Sequence, residues 1–229
     1  MRLFSARLSL FAKKVEIALA EKGIPFERVL VPFNQETGYA PKNPDVIAIN
    51  PKGQVPVLID GDLELYDSTA ILEYLEDAYP QIALYPAAPA ERARCRLFDL
   101  YADEVMLVPL RALMHRTGPR PADPSLWLEW ETNAEQATSG LSTQFSRLEA
   151  ALQHNQYFCG IFGVADISIF MAVFYSQRLG GPGLAAHPSL RAWYRTLRMR
   201  PAFAGVIAEI ADADHELSAS VAGAHPDAG

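Results

Sequence analysis

Cysteine is scarce in this chain, and its scarcity excludes a disulfide-based scaffold. The 229 residues contain two cysteines, Cys95 and Cys159, which lie far apart and form no Cys-x-x-Cys pair. Small secreted domains depend on several closely spaced cysteines, whereas proteins of reducing compartments keep their thiols reduced and rarely form disulfides. The count therefore predicts a cytoplasmic protein, and Cys159, inside the apolar run Phe-Cys-Gly-Ile-Phe, is expected to be buried and inert.

Excess positive charge and long apolar runs are missing as well. The formal net charge is −7, whereas a protein that binds nucleic acid through its phosphates carries a basic patch. No run approaches the roughly 20 apolar residues that span a bilayer, and the N-terminus lacks the pattern of a signal peptide. The histidines show no ligand spacing, so we predict no metal site, no nucleic-acid partner and no membrane association.

Residues 1–80 carry the patterns of a mixed α/β domain. A short strand over residues 1–5 precedes a helical pattern over 10–22, and Gly23 ends that helix. A second strand is predicted over residues 26–31. Strand–helix–strand is typical of a parallel pair of strands, so the domain begins as a βαβ unit.

The stretch from Gly53 to Ser68 predicts a β-hairpin that leads into a helix. Two apolar runs flank Asp60-Gly61-Asp62, and Asp-Gly favours a tight turn with two positive φ angles. Val55-Pro56 precedes the first run, and Asp67-Ser68 begins a helix predicted over residues 69–79. Because a helix N-terminus presents free N–H groups and the positive end of a dipole, it attracts anions. The stretch therefore predicts a binding site for a small peptide-like acid.

The remainder of the chain has no convincing strand. Residues 80–89 contain three prolines and read as a linker, and Pro109 is expected to kink the first long helix. We predict an α/β domain at 1–80, a linker at 81–89, an all-helical domain at 90–216 and a flexible tail at 217–229. Helical patterns cover residues 90–115, 125–155, 164–179, 187–199 and 202–214, of which 164–179 is apolar on all sides.

Five segments of the chain, taken together and in order, resemble the cytosolic glutathione S-transferase family, in particular its serine-type, theta- or omega-like bacterial members. The resemblance implies a thioredoxin-like α/β domain followed by an all-α domain, glutathione as ligand, no cofactor and a homodimer. The segments are LFSARLSLFAKKVEIALAEKGIPFE, NPKGQVPVL, LYDSTAILEYLEDAYP, YFCGIFGVADISI and HPSLRAWYRTLRMRPAF.

The resemblance places the reactive residue at Ser9, where the first strand meets the first helix. A hydroxyl hydrogen bond and the helix dipole favour the glutathione thiolate over the thiol. A shift of about two units from a thiol pKa of about 8.5 corresponds to roughly 2.7 kcal/mol. Leu10 replaces the proline that commonly follows this residue, and Phe4 stands where other classes carry a tyrosine. Without the resemblance, Ser9 is an ordinary helix N-cap.

The same resemblance assigns residues to glutathione binding. Val55 and Pro56, joined by a cis peptide bond, would pair with the cysteinyl backbone, and the alternative is a trans proline that opens an edge strand. Asp67 and Ser68 would bind the γ-glutamyl end, although both can serve as helix caps. Lys42 and Gln54 are expected to bind the glycyl end. The alternative for Lys42 is that it is an ordinary solvated lysine in a loop.

The resemblance also predicts an electrophile pocket between the two domains. Each residue expected to line this pocket could instead be an ordinary core or surface residue. Arg111 and His115 lie four residues apart on one helical face, which suggests an anionic co-substrate. The expected walls are Phe11, Tyr101, Val108, Arg111 and His115. Near the buried helix, Asp166 is expected to keep half of a capping box, because Gly163 has no side chain to complete it.

Two functions from different classes follow from these patterns. The first is conjugation of glutathione to a small hydrophobic electrophile, as in detoxification, with reductase or peroxidase activity as related possibilities. The alternative is a non-catalytic regulatory protein like stringent starvation protein A, which associates with RNA polymerase. A simple helical dimerisation protein is the third possibility.

Overall fold

The computed structural model describes residues 1–152 and 155–226. Four strands and nine α-helices follow one another in these residues, with strands confined to the first part of the chain. In chain order they are β1 (Arg2–Ser5), α1 (Leu10–Lys22), β2 (Glu27–Leu30), α2 (Pro44–Ile49), β3 (Val57–Asp60), β4 (Leu63–Tyr66), α3 (Ser68–Ala78), α4 (Pro89–Leu100), α5 (Leu107–Leu113), α6 (Pro124–Leu152), α7 (Val164–Arg178), α8 (Pro188–Arg198) and α9 (Pro201–Leu217).

The strands form one mixed sheet in the order β2-β1-β3-β4. β1 and β2 are parallel and are joined by α1, while β3 is antiparallel to both β1 and β4. The predicted βαβ unit and hairpin are thus confirmed, but the predicted turn geometry is wrong. Asp60 pairs with Leu63, so Gly61 and Asp62 are the turn residues, and only Gly61 has a positive φ, of 60°.

Each face of the sheet is covered by its own apolar cluster. Leu3 and Leu58 are paired across β1 and β3 and pack with residues of α1 and α3, whereas Phe4 and Val57 point to the other face and pack with Val46 of α2. This alternation follows from the period of two in a strand. The sheet is therefore the middle layer of an α/β/α sandwich, as the resemblance to a thioredoxin-like domain implies.

The first long helical pattern is interrupted before Pro109. A π-helical segment, Tyr101–Met106, separates α4 from α5, and a 3₁₀ segment follows at Met114–Thr117. Pro109 has no N–H to donate to the carbonyl of residue 105, and its ring crowds that carbonyl, so a wider turn relieves the conflict. The expected irregularity is present, but it takes the form of a π-helical stretch N-terminal to the proline.

Helix α7 is buried along its whole length, as its apolar sequence predicts. Its start is held by Asp166, whose carboxylate accepts hydrogen bonds from the backbone N–H of Gly163 (3.1 Å) and of Phe158 (3.3 Å) and from the indole N–H of Trp193 (2.8 Å). The half capping box predicted for Gly163 and Asp166 is confirmed. No helix of the described residues is both long enough and apolar enough to cross a membrane.

The chain divides into two compact units with boundaries that differ from the predicted domains. The first unit comprises Met1–Tyr85 together with Arg200–Leu217, and the second comprises Pro86–Met199 and the C-terminal residues. Helix α9, predicted to belong to the helical domain, is therefore part of the first unit. Within that unit, Glu209 of α9 accepts from Lys13 of α1 (2.7 Å) and from Arg28 of β2 (2.7 Å).

The predicted flexible tail also differs from the structure over residues 218–226. The backbone N–H of Ala219 donates to the carbonyl of Thr117 (2.8 Å), and that of His225 donates to the carbonyl of Gln177 (2.8 Å). These bonds attach the segment to the second unit, and a small polar composition gave no sign of them. Residues 227–229 lie outside the described part of the chain.

Candidate functional site

Strand register brings three of the predicted segments to one end of the sheet. Because β3 runs antiparallel to β1 with Val57 opposite Phe4, the start of β3 lies where β1 ends. Tyr66, the last residue of β4, is opposite Val57 in turn. The segment that leads from β1 to Ser9, the Val55-Pro56 pair before β3 and the Asp67-Ser68 pair after β4 consequently share this end.

Ser9 is the N-cap of α1. Its backbone is extended (φ −89°, ψ 109°), and its hydroxyl accepts a hydrogen bond from the N–H of Ala12 at 3.2 Å. The first turn of α1 carries no acidic residue, so the positive end of the helix dipole is not neutralised locally. Ser9 is buried, with 6% of its surface exposed. A capping role and a role toward an anionic sulfur are compatible here, since a hydroxyl can accept and donate at once.

Tyr39 is a second hydroxyl at this position, and no sequence pattern pointed to it. Its side chain lies near enough to that of Ser9 for the two hydroxyls to interact, and its ring packs against Phe33 with 5.1 Å between ring centroids. Burial raises the pKa of Tyr39 above its ordinary value, while the interaction with Ser9 lowers that pKa in part. Tyr39 comes from an irregular loop whose contacts are set by tertiary folding, which is why spacing along the chain could not predict it.

Lys42 lies against the loop that precedes β3. Its ammonium donates to the carbonyl of Gly53 at 3.1 Å, and Gly53 has a φ of +58°. A Cβ at position 53 would lie 3.0 Å from the Cδ of Lys42, so the glycine admits the lysine stem. Buried Asn50, which the sequence analysis missed, orders the same loop by donating to the carbonyl of Gln54 (2.7 Å) and accepting from the N–H of Lys52 (3.0 Å).

The two predicted binding pairs are each held in a defined geometry. The Val55–Pro56 peptide bond is cis, as the resemblance implied, and both residues are buried. Asp67 caps α3 by accepting from the N–H of Thr69 at 3.0 Å, and Ser68 is buried. Asp67 has a φ of +75°, a region that residues other than glycine rarely adopt and that costs about 1–3 kcal/mol. Such strain often accompanies binding sites.

The predicted electrophile residues fall in different units. Phe11 is a half-buried residue of the first unit, with the Lys14 ammonium 6.0 Å from its ring centroid. Tyr101, Val108, Arg111 and His115 belong to the second unit, where Val108 and Arg111 are exposed and Tyr101 lines a cavity between α4 and α6. The pocket predicted between the two domains stays a prediction.

His115 is engaged inside the second unit. Its Nε2 lies 2.7 Å from a carboxylate oxygen of Glu131, and its Nδ1 lies 3.0 Å from the carbonyl of Ala112. Arg116 also donates to Glu131, through two nitrogens at 3.0 and 2.9 Å. Since both ring nitrogens of His115 face oxygen acceptors, the structure gives no support to an anion site built from Arg111 and His115.

An apolar cavity of about 220 Å³ lies within the first unit beside the Ser9 segment. Arg7 and Leu8, which precede Ser9, form part of its wall, and Phe33 connects it to Tyr39. The sequence analysis missed this cavity, because its walls come from three separate parts of the chain. The lining residues are Arg7, Leu8, Leu30, Val31, Pro32, Phe33 and Leu217.

This end of the sheet presents polar side chains and backbone groups next to an apolar cavity. It combines the hydroxyls of Ser9, Tyr39 and Ser68, a helix N-terminus, a lysine ammonium and an adjacent apolar cavity with Asp67, the strained N-cap of α3. Within residues 1–152 and 155–226, no group of three or more His, Cys, Asp and Glu side chains is placed to hold a metal ion. The arrangement suits a small anionic peptide beside an apolar molecule.

An α/β/α unit of this topology followed by a helical unit defines the glutathione-transferase fold. The family model described as "Glutathione S-transferase, N-terminal domain" matches residues 3–83, and the one described as "Glutathione S-transferase, C-terminal domain" matches residues 106–201. The chain is 33% identical to "Glutathione S-transferase 3" of Zea mays over 218 residues, which cover 92% of this chain and 94% of the maize protein. The chain belongs to the glutathione S-transferase family and is an enzyme of that family.

Two further comparisons bear on its relatives. A theta-class glutathione S-transferase from Xanthomonas axonopodis pv. citri, solved with glutathione bound, is 28% identical, with a TM-score of 0.75 over 90% of this chain and 96% of that one. A stringent starvation protein A homolog of Coxiella burnetii is 38% identical over 97 residues, which cover 42% of this chain and 44% of the relative. The maize transferase therefore matches a far larger part of the chain than the starvation protein does.

Proposed function

We propose that this protein joins the thiolate of glutathione to a small hydrophobic electrophile, with Ser9 as the residue that stabilises the thiolate. The observation that carries the proposal is the position of Ser9, at the N-terminus of α1 and at the sheet end shared with cis-Pro56 and Asp67-Ser68. The Ser9 hydroxyl and the dipole of α1 both favour the anionic sulfur. This assignment makes the protein a serine-type transferase.

Glutathione would be held along the same end of the sheet. The backbone N–H and C=O of Val55, before cis-Pro56, match the cysteinyl peptide unit. The buried hydroxyl of Ser68 and the N–H groups at the start of α3 suit the γ-glutamyl carboxylate, and the Asp67 carboxylate suits the γ-glutamyl ammonium. The Lys42 ammonium donates to the Gly53 carbonyl in this structure. When glutathione binds, that ammonium would break this bond and pair with the glycyl carboxylate.

The electrophile would occupy the apolar cavity beside Ser9. A cavity of about 220 Å³ takes a small molecule, and its aliphatic and aromatic walls favour apolar ones. In the reaction, the thiolate attacks an electrophilic carbon of that molecule, a carbon–sulfur bond forms, and a leaving group departs with its electron pair. The physiological setting that fits this reaction is detoxification in the cytoplasm by a homodimer.

The test compares wild type with Ser9→Ala and Ser9→Thr. The hydroxyl and the helix dipole together stabilise the thiolate by roughly 2.7 kcal/mol, and Ser9→Ala removes the hydroxyl, so we expect kcat/KM with a chlorinated nitroarene to fall by at most about a hundredfold. The pKa of bound glutathione, followed by thiolate absorbance, should rise toward the free value, while retention on immobilised glutathione persists. Ser9→Thr keeps both the hydroxyl and the cap and should retain much of the activity.

Two results would contradict the proposal, one for the role of Ser9 and one for the conjugation activity itself. If Ser9→Ala binds glutathione and keeps full activity, then Ser9 does not stabilise the thiolate. If wild type is neither retained on immobilised glutathione nor active with any electrophile, then the conjugation activity itself is wrong for this chain. The regulatory alternative, a protein like stringent starvation protein A, would then be favoured, and binding to RNA polymerase would be measured.

A further inference from the structure

The two cysteines, distant in sequence, are neighbours in the helical unit. Cys95 lies on α4 and Cys159 lies in the loop before α7, and the two thiols are close enough for each to shift the pKa of the other. An independent contact places the same loop on the same helix, because the rings of Phe98 and Phe158 pack with centroids 4.9 Å apart. Both cysteines are free in this structure.

The two thiols differ in exposure and in polarity. Cys95 is fully buried, and the backbone N–H of Ala165, in the first turn of α7, acts to lower the pKa of its thiol. The interaction with Cys159, followed by burial, raises the pKa of the Cys95 thiol. Cys159 is partly exposed, and the interaction with Cys95 lowers the pKa of its thiol despite desolvation and the nearby acids Asp166 and Glu91. The expectation that Cys159 is buried is therefore wrong, since part of this residue is accessible.

We propose that Cys95 and Cys159 form a redox-active thiol pair that a small disulfide of the glutathione type oxidises through Cys159. The Cys159 thiolate attacks one sulfur of the small disulfide, and a mixed disulfide forms as the first small thiolate leaves. The Cys95 thiol then loses its proton, its sulfur attacks the sulfur of Cys159, and the second small thiolate leaves. Two protein thiols are oxidised and one small disulfide is reduced to two thiols.

The difference in exposure supports this order of attack. Only Cys159 is accessible enough to meet an external disulfide, and the more thiolate-like sulfur is the better nucleophile near neutral pH. Cys95 is the neighbouring thiol on α4, and the contact of Phe98 with Phe158 holds the loop of Cys159 against that helix, so Cys95 is the group placed to attack the mixed disulfide. The product would tie α4 to the start of α7. The site lies in the helical unit and does not depend on the role of Ser9.

The experiment uses the full chain, reduced and then incubated with glutathione disulfide, followed by intact-mass measurement. Wild type should lose two hydrogens and retain no glutathione. Cys95→Ser should accumulate one glutathione on Cys159, because the second step is blocked, and Cys159→Ser should gain none. Circular dichroism checks that the two variants fold. A second test uses wild type alone. Brief alkylation with iodoacetamide should label Cys159 well before Cys95.

Three outcomes would overturn the proposal. They are a stable glutathione adduct on wild type, two free thiols after prolonged incubation, and alkylation of Cys95 ahead of Cys159. Adduct formation only in Cys95→Ser, together with loss of two hydrogens in wild type, would establish it.

Discussion

At the scale of single residues, the hydrogen bonds of Ser9 decide whether its proton is free for a ligand. A serine hydroxyl has one proton and two lone pairs. The N–H of Ala12 takes one lone pair, and Tyr39, whose hydroxyl is close to Ser9, can fill the other as a donor. The proton of Ser9 would then point away from both partners, toward a sulfur bound at the helix N-terminus. Tyr39 would act as a positioning residue that also polarises the Ser9 hydroxyl.

Removal of the Tyr39 hydroxyl should therefore weaken thiolate formation without removing the donor itself. For Tyr39→Phe we expect kcat to fall about fivefold, in line with a neutral hydrogen bond worth about 1 kcal/mol. The pKa of bound glutathione should rise by less than one unit, and KM for glutathione should stay close to that of wild type. Steady-state kinetics as a function of pH measure all three quantities.

Tyr79→Phe is the matched control for this prediction. The Tyr79 hydroxyl bonds to Asp60 at the end of β3 that faces away from the Ser9 segment, so its removal should leave the pH profile unchanged. Equal effects of the two substitutions on the pH profile, or an unchanged profile in Tyr39→Phe, would show that Tyr39 has no special relation to Ser9.

At the scale of the secondary-structure elements, the start of α7 depends on a buried carboxyl group. Burial raises the pKa of Asp166 to about 7, although the hydrogen bonds from Trp193, Phe158 and Gly163 act to lower it. A raised pKa means that the folded state holds a proton which the unfolded state has lost. The contribution of Asp166 to stability is therefore complete below the unfolded pKa of about 4 and is lost as pH rises through about 7.

We expect the free energy of unfolding of wild type, relative to Asp166→Asn, to decrease by up to about 1.4 kcal/mol per pH unit between pH 5 and 7. The amide does not titrate, so the variant lacks this slope even though it is less stable overall. Urea denaturation followed by tryptophan fluorescence reports on the helical unit, because all three tryptophans, Trp127, Trp130 and Trp193, lie there.

Asp123→Asn serves as the control, since Asp123 is exposed and its pKa is lowered by hydrogen bonds from Ser125. That variant should reproduce the wild-type slope between pH 5 and 7. If Asp166→Asn shows the same slope as wild type, another group in the helical unit is responsible for the pH dependence.

At the scale of the whole molecule, the second unit presents an apolar surface between α4 and α6. A cavity of about 300 Å³ lies there, with largely apolar walls and with Arg94 and Arg147 among its lining residues. Leu97, in its wall, is 65% exposed. Apolar patches of this kind commonly mark contacts with another protein, and we propose that a second copy of the chain covers this one.

We expect wild type to elute as a dimer and Leu97→Glu to elute as a monomer, because a carboxylate in the contact must be desolvated without a partner. Light scattering coupled to size-exclusion chromatography measures the mass in solution. Met199→Glu is the control, since Met199 is also an exposed apolar residue of the second unit but is not part of this cavity. Its mass should match that of wild type, and a dimeric Leu97→Glu would place the contact elsewhere.

The sequence by itself determined the features that depend on neighbouring residues. Gly23 ends α1 in the left-handed conformation, Asp67 and Ser9 cap their helices, and the hairpin follows its turn residues, because capping and turn chemistry act over a few positions. The apolar composition on all sides of residues 164–179 likewise indicated the buried helix α7, and the ordered set of segments was enough to indicate the family.

Only the tertiary structure decided which distant residues meet. The pairing of Tyr39 with Ser9, the cavity beside it and the contact of Cys95 with Cys159 all join segments that no local pattern relates. The attachment of α9 to the first unit follows from the ion pairs of Glu209 with Lys13 and Arg28. Such contacts depend on how helices and loops pack, and that packing brings together groups that are up to 209 residues apart.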